Sequence, residues 1–304
     1  MNWRSVSLRR TAWQFAMLGV GAGLCAAAGY EGALGLMAGL WGPGLPIALG
    51  FLPGAAFGLV LGLLLAPLDE LVGHYPLRML RTAGAGALLG ALGGLLTLGP
   101  LELLVPVAGG SAALPLTEAA LFHWALLGPA LGVLSACVAF ASGFGIGQPR
   151  LGLRRAVWSL GGGLLSGTLL AGAFALLPHS PWFHFAGFGL WAGLLALVML
   201  WREKRFARRW LRVLSAPGED RILPLQGAAL RIGKLESNEI ALPFYQEIYP
   251  VHCTLRRIGQ QYQIVDDETG GMVMVNFRQV QEQTLKTGDL VKIGSALLQY
   301  GEVS

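Results

Sequence analysis

Hydrophobic residues form long blocks over the first two thirds of the chain and short alternating stretches over the last third. Six blocks are long enough for a helix to cross a bilayer, which takes about 20 apolar residues. They cover residues 11–30, 46–66, 82–106, 119–142, 156–177 and 182–201. The pattern predicts an all-α membrane bundle of about six transmembrane helices, followed by a domain of a different class.

Short basic motifs open the first, third and fifth blocks at a regular interval. The motifs contain Arg9-Arg10, Arg78-Met79-Leu80-Arg81 and Arg154-Arg155. Every block also contains two glycines four positions apart, which share one face of a helix and permit close helix packing in lipid. We therefore predict three copies of one helical hairpin. The glycine pairs are Gly19/Gly23, Gly58/Gly62, Gly86/Gly90, Gly128/Gly132, Gly163/Gly167 and Gly189/Gly193.

The basic residues also predict the orientation of the chain in the membrane. They occur before block one, between blocks two and three, between four and five, and after six, whereas the other connections carry none. Because basic loops stay in the cytoplasm, both termini are predicted to be cytoplasmic in a multi-pass protein of the bacterial inner (plasma) membrane. Residues 31–45 are predicted to connect the first two helices, as either a loop or a re-entrant segment.

The basic run that follows the last block has a role of its own in this prediction. It contains Arg202, Lys204, Arg205, Arg208, Arg209 and Arg212. Cations at the cytoplasmic end of a membrane helix anchor it and attract anionic lipid. We expect the run to anchor the sixth helix, so the bilayer itself is one predicted partner.

Composition narrows the classes of function. Charged residues make up 13% of the chain, against about 25% in soluble domains. The net charge of +5 does not indicate nucleic acid binding, because the basic residues flank apolar blocks. The three cysteines are isolated, and no pattern for ATP hydrolysis, redox chemistry or zinc binding occurs. We predict no enzyme, no cofactor and no metal site.

Intramembrane charge would indicate a transporter, and none lies near the centre of a block. Glu31 and Glu102 occupy corresponding places in the first two repeats and are predicted to lie at the outer surface. Pro53 and Pro129 are predicted to kink the second and fourth helices. The repeat, the kinks and the glutamate pair keep a transporter or channel subunit as an alternative.

Short alternating stretches separated by turns begin near Trp210 and predict an antiparallel all-β sandwich. The domains are therefore predicted as 1–205, a glycine-rich transmembrane domain, and 211–304, a cytoplasmic sandwich. The predicted strands are 222–225, 229–232, 253–258, 262–265, 272–275, 290–293 and 296–300.

Over about residues 211–301 the sequence resembles a forkhead-associated (FHA) domain. Five landmarks carry the resemblance, in the order that the family has them. They are Arg231-Ile232-Gly233-Lys234, Ser237-Asn238-Glu239-Ile240-Ala241-Leu242, Val251-His252-Cys253, Asn276, and Leu285-Lys286-Thr287-Gly288-Asp289-Leu290-Val291-Lys292-Ile293-Gly294. The resemblance implies a β-sandwich whose loops at one end bind phosphothreonine peptides.

The resemblance also implies a set of binding residues, and several depart from the family. The candidates for partner or phosphopeptide binding are Lys234, Asn238, Tyr249, His252, Gly271 and Asn276. Lys234 replaces an arginine and so loses the fork that grips two oxygens. Tyr249 replaces a serine and Gly271 an asparagine, while His252 and Asn276 match residues that brace loops. Two readings stay open: phosphothreonine binding through Lys234, or binding of a protein partner without phosphate.

We therefore expect a membrane-anchored signalling adaptor that presents a degenerate FHA domain to a cytoplasmic protein partner. The alternative is a transporter or channel subunit regulated through that domain. A homo-oligomer and a subunit of a membrane complex are both compatible with this expectation.

Overall fold

A computed structural model of the chain describes residues 3–41, 51–72, 75–110, 116–176, 181–206, 209–215, 222–225, 227–267 and 271–302. The chain separates into two compact units. One is Arg10–Leu200, and the other contains Trp201–Ser304. Each unit has its own hydrophobic core.

Helices make up the first unit, and prolines begin several of them. Proline suits the first turn of a helix, where its missing N–H would have no partner. Pro76, Pro149 and Pro181 each begin a helix, and Pro53 lies in the first turn of another. The helices are α1 (Trp3–Trp41), α2 (Leu52–Leu65), α3 (Leu68–Val72), α4 (Pro76–Gly110), α5 (Leu116–Phe144), α6 (Pro149–Leu176) and α7 (Pro181–Phe206).

Four stretches of the described helices are long and apolar enough to cross a membrane. They are Ala12–Met37, Leu52–Leu71, Pro76–Pro100 and Leu126–Phe144, and Phe185–Leu200 is a shorter apolar segment. The structure thus confirms a helical region of apolar candidate spans, while the number six and the three hairpins stay predictions.

Residues 31–41 correct one sequence prediction. They continue α1 without interruption, so this part of the segment predicted as a connection is helical. The reason is that these residues are mostly apolar or small and contain no proline before Pro43. Residues 42–45 lie outside the described residues.

The predicted glycine pairs meet across three helix interfaces. In the α2–α4 interface, a methyl group added at Gly58 would overlap the carbonyl oxygen of Gly90. In the α1–α7 interface, a methyl group at Gly23 would lie 2.9 Å from the Cα of Gly189. The α5–α6 interface has a similar approach of Gly167 to Gly128, at 3.3 Å. The backbones therefore pack at a distance that only small residues allow.

The second unit contains a sandwich of two β-sheets. One sheet has the order β2-β1-β11-β10-β7-β8 and the other β4-β3-β5-β6-β9, and only the β3–β4 pair among the described pairs is parallel. The strands are β1 (Arg209–Val213), β2 (Ile222–Pro224), β3 (Ala229–Gly233), β4 (Ile240–Ala241), β5 (Cys253–Ile258), β6 (Gln261–Asp266), β7 (Val273–Val275), β8 (Arg278–Gln279), β9 (Glu282–Thr284), β10 (Leu290–Ile293) and β11 (Ala296–Glu302).

Alternation along the strands builds the core of the sandwich. Leu230 and Ile232 on β3 are buried, as are Val291 and Ile293 on β10, while the residues between them face outward. All seven predicted strands are present, with shifts at their ends. The sequence prediction did not include β1, β4, β8 and β9.

β1 also corrects the interpretation of the basic run. Arg209 lies within β1 and is 8% exposed, and its Nη2 lies 2.8 Å from the Oε1 of Glu302 on β11. The side-chain hydrogen bond with Glu302 raises the pKa of Arg209. Arg209 therefore stabilises the sandwich and is not available to lipid.

Candidate functional site

Three loops that follow β3, β4 and β6 meet through backbone and side-chain contacts. The Lys234 N–H donates to the Tyr249 carbonyl oxygen (2.9 Å), and the Asn238 Nδ2 donates to the Pro250 carbonyl oxygen (2.6 Å). Asn238 is fully buried, whereas the side chain of Lys234 is exposed. Asn238 therefore fixes the loops, and Lys234 offers a cation to solvent or to a ligand.

His252 is the buried centre of this arrangement. It is 0% exposed, its Nδ1 accepts the Tyr249 N–H (3.2 Å), and the two rings lie 5.7 Å apart. A neutral imidazole that accepts at Nδ1 carries its proton on Nε2. Nε2 has no hydrogen-bond partner among the residues that the structure describes. The histidine therefore holds the Tyr249 backbone and does not face solvent.

Gly271 lies against the edge of the His252 ring. A methyl group added at Gly271 would overlap Cε1 of the imidazole. Any larger residue would displace the ring, because a buried side chain at this packing density has no room to yield. The contact leaves no room for a side chain at Gly271, so this residue contributes no polar side-chain group to the site.

Asn276 braces a different segment. Its backbone has a φ of 51°, its Nδ2 donates to Asp289 Oδ1 (3.0 Å), and its Oδ1 accepts the Leu290 N–H (3.0 Å). Asparagine tolerates this left-handed conformation better than most residues. The two bonds join the β7–β8 turn to the start of β10.

A groove of about 560 Å³ opens beside Tyr249 and Gly271. Met274 on β7 and Lys292 on β10 are cross-strand partners, so both side chains belong to one stretch of its wall. Glu247, at a φ of 59°, supplies a carboxylate at the rim. The described lining residues are Glu247, Ile248, Tyr249, Gly271, Met272, Met274, Lys292 and Gly294.

The turn between β10 and β11 holds the groove's rim in place. The Gln246 N–H donates to Ser295 Oγ (2.9 Å), and the Ser295 N–H donates to the Gln246 carbonyl oxygen (3.1 Å). Gly294 has a φ of 53° and packs under the carbonyl groups of Gln246 and Glu247. The rim is therefore preorganised, which lowers the entropy cost of binding a peptide.

Cys253 lies directly after His252 but carries no chemistry. It is 0% exposed, and burial raises the pKa of its thiol. Because the thiolate is the reactive form, a buried thiol with a raised pKa is inert.

Sequence reasoning identified two of the groove residues, Tyr249 and Gly271, and missed the others. In the sequence, Met272 and Met274 stand out only as alternating positions of a predicted strand, and Lys292 stands out only as part of a family landmark. Neither feature indicates a groove. The proximity of these residues depends on the pairing of β7 with β10, which no local pattern in the sequence predicts.

A second polar cluster lies in the helical unit. Arg155 is 9% exposed; its Nη1 donates to Ser142 Oγ (2.7 Å), and its Nη2 lies 2.9 Å from Asp69 Oδ2. The sequence analysis treated Arg155 only as a charge that flanks a span. The structure instead gives it a buried partner, Ser142 on α5, and a partly exposed partner, Asp69 on α3.

The region is thus a two-sheet sandwich whose contacting loops lie beside a preorganised groove. The family model of the FHA domain matches residues 230–294. The C-terminal region of the chain therefore carries an FHA domain, as its landmarks predicted.

Solved FHA domains are among the structures to which this region is similar. An FhaA FHA domain, crystallised with the intracellular domain of Rv3910, is 24% identical, with 30% of this chain and 98% of that chain covered and a TM-score of 0.28. The FHA domain of CT664 from Chlamydia trachomatis is 20% identical, with 32% and 99% covered and a TM-score of 0.30. A comparison with curated proteins finds no match.

Proposed function

We propose that this protein is a membrane-anchored adaptor that presents its FHA domain to a cytoplasmic protein partner. The observation that carries the proposal is the groove between Glu247 and Gly294, because a preorganised concave surface on an interaction module is suited to a peptide. Anchoring raises the local concentration of the module at the membrane, so a modest affinity is sufficient.

In this proposal residues 1–205 form a bundle of six transmembrane helices built from three hairpins, and 211–304 form the cytoplasmic domain. Support comes from the glycine contacts, since the second helix of each predicted hairpin packs on the first helix of another. The pairs α2–α4, α5–α6 and α7–α1 join the three hairpins into a ring. The distribution of basic residues favours cytoplasmic termini and a bacterial inner membrane.

The proposed ligand is a protein segment that places an apolar side chain in the groove and is recognised without phosphate. Met272 and Met274 offer adaptable apolar contacts, and Lys292 with Glu247 offers one charge of each sign. A phosphate site needs several cationic and hydroxyl donors. Lys234 supplies one cation, but Gly271 supplies no side chain.

The test uses the full-length protein in lipid nanodiscs as bait for cytoplasmic extract. Met272→Asp puts a charge at the groove, and Ile258→Asp is the matched control, since the two residues are 51% and 56% exposed and Ile258 does not line the groove. We expect Met272→Asp to lower capture of the partner at least about tenfold, equivalent to roughly 1.4 kcal/mol. Equal capture by the two variants would refute the proposal that the groove binds the partner.

Phosphatase treatment of the extract separates the two modes of recognition. We expect the captured partner to persist after treatment. Loss of the partner after treatment, together with loss in Lys234→Ala, would replace the proposal with phosphothreonine recognition through Lys234.

The second candidate function is a transporter or channel subunit regulated by the FHA domain. The Asp69–Arg155–Ser142 cluster favours it, because Arg155 is a buried charge at the edge of the predicted membrane helices, and buried charges among such helices are costly and often serve transport. The adaptor role does not require such a cluster.

A further inference from the structure

Glu70 lies next to Asp69 of the Arg155 cluster, and one oxygen of its carboxyl group is left without a hydrogen bond. The residue is 4% exposed, in the short helix α3, and its Oε2 is buried with no hydrogen-bond partner in the described part of the chain. Its backbone carbonyl accepts the Tyr75 N–H (2.9 Å), so the residue itself is held firmly in place.

The charges around Glu70 come from three helices. Asp69 is its neighbour on α3, and the charges of Arg155 on α6 and Arg78 on α4 also act on it. Arg155 is already bonded to Asp69 and Ser142, and Arg78 lies over the ring of Tyr75 at 5.3 Å. The Oε2 atom of Glu70 itself accepts no hydrogen bond within the described part of the chain.

Two further polar groups in the region are used elsewhere. The Ser142 hydroxyl donates to the Ala139 carbonyl oxygen (2.8 Å) as it accepts from Arg155. The Thr82 hydroxyl donates to the Arg78 carbonyl oxygen (2.9 Å). The unpaired Oε2 atom of Glu70 is therefore a candidate site for a proton or a metal ion from solution.

A proton fits this site better than a metal ion. Among the described residues no group of three or more histidine, cysteine or carboxylate side chains converges to hold a metal. The guanidinium of Arg155, beside the same carboxylates, would repel a metal cation. A buried carboxylate oxygen that accepts no hydrogen bond is costly, and a proton on the carboxyl group lowers that cost without further ligands.

We propose that the carboxyl group of Glu70 is a proton-binding site of the helical unit, with the Asp69–Arg155 pair beside it setting how tightly the proton is held. The carboxyl group of Glu70 exchanges this proton with the cytoplasm. This inference rests on the second candidate function, a transporter or channel subunit. Proton binding itself is measurable whether or not the protein transports anything.

The test is labelling of the full-length protein in nanodiscs with a membrane-soluble carbodiimide, followed by peptide mass spectrometry. The reagent takes the carboxyl proton onto its nitrogen, bonds to the carboxyl oxygen, and rearranges to a stable N-acylurea. We expect Glu70 to be labelled at low pH, and the rate to fall about tenfold for each pH unit above the midpoint of its titration.

Two charge variants make the inference specific. Asp69→Asn removes a neighbouring negative charge, so the labelling midpoint of Glu70 is expected to fall by about one pH unit. Arg155→Gln removes a positive charge, so the midpoint is expected to rise by a similar amount. Ser142→Ala removes a neutral contact and is expected to shift the midpoint by much less than either variant.

Three results would overturn the proposal. They are absence of the label at Glu70 across the pH range, a labelling rate that does not depend on pH, and protection of Glu70 by Na⁺ at fixed pH. Glu70→Gln checks the assignment and is expected to lose the label, whereas Glu31→Gln in the same unit is expected to keep it. Proton flux in liposomes is measured separately, so absence of flux counts against transport and not against the site.

Discussion

The helical unit and the β-sandwich use glycine for different physical reasons. In the helices, Gly58 and Gly90 face each other so closely that a methyl group on either would overlap the other's backbone. In the sandwich, Gly259 and Gly288 have φ values of 57° and 98°, and a methyl group added to either would have no neighbouring atom within 4 Å. The first use removes volume, and the second permits a backbone conformation that other residues adopt only with strain. The same substitution therefore has different consequences in the two units.

The largest loss of stability is expected where two helices pack so closely that neither has room for a side chain. Gly90→Val would drive α4 away from α2, because the new side chain would overlap the Gly58 carbonyl group. Loss of a packed interface of this kind costs about 3 kcal/mol or more. Gly84→Val, on the same helix with nothing within 4 Å, is the control and is expected to cost less than about 1 kcal/mol.

Unfolding of the two variants in mixed detergent micelles, followed by circular dichroism, measures the difference. Equal destabilisation by Gly84→Val and Gly90→Val would show that close packing at Gly90 does not stabilise the helical unit.

The next effect separates conformational strain from excluded volume within the sandwich. Gly259 and Gly294 both have positive φ, but a methyl group at Gly294 would also overlap the carbonyl oxygen of Gln246. We expect Gly259→Ala to cost about 1 kcal/mol, the price of the left-handed backbone alone, and Gly294→Ala about 3 kcal/mol.

Hydrogen exchange on the full-length protein reports this difference locally. In Gly294→Ala, faster exchange is expected at residues 245–249 and 294–298, whereas Gly259→Ala should loosen only the β5–β6 turn. A uniform increase across the sandwich in both variants would contradict a local clash.

How far the sequence predicted each unit follows from how local its signals are. Glycines four positions apart lie on one helix face, so their spacing alone predicted the close packing that Gly58 and Gly90 make. The alternation of β5 and β10 likewise predicted both strands. β1 was missed because Arg209 follows a basic run beside the last apolar block, and its partner Glu302 is 93 residues away.

The candidate site was less predictable, because its contacts are between distant segments. The FHA resemblance located the loops of Lys234, Asn238 and His252. It did not predict that Met274 and Lys292 would share a groove wall, since that depends on strand register. Glu70 was missed because nothing local distinguishes a buried glutamate in a short helix from a solvated one.

Gly271 tests whether the sandwich also uses glycine to exclude volume at its binding loops. Gly271→Ala is expected to push the His252 ring away from its position and to cost about 2 kcal/mol in stability. Because His252 accepts the Tyr249 N–H, partner capture is expected to fall as well. Hydrogen exchange at Tyr249 and the nanodisc capture assay are the two measurements, and unchanged exchange would mean that the ring contact does not position the loop.

The smallest effect concerns how the two units hold their ion pairs. Asp69–Arg155 is largely buried in the helices, whereas in the sandwich Arg231 and Glu239 are 52% and 25% exposed at 3.3 Å. Burial alone would raise the pKa of Glu239, but hydrogen bonds from Arg231 outweigh it and lower the pKa from its ordinary value of 4.5. The pair therefore stabilises the fold above about pH 4.5, and this contribution is lost as the pH falls through the lowered pKa. Because the pair is partly exposed, the loss is expected to be only about 0.5 kcal/mol. Glu239→Gln should remove this part of the acid sensitivity in denaturant titrations at pH 7 and pH 3, and an unchanged pH dependence would mean that solvent screens the pair completely.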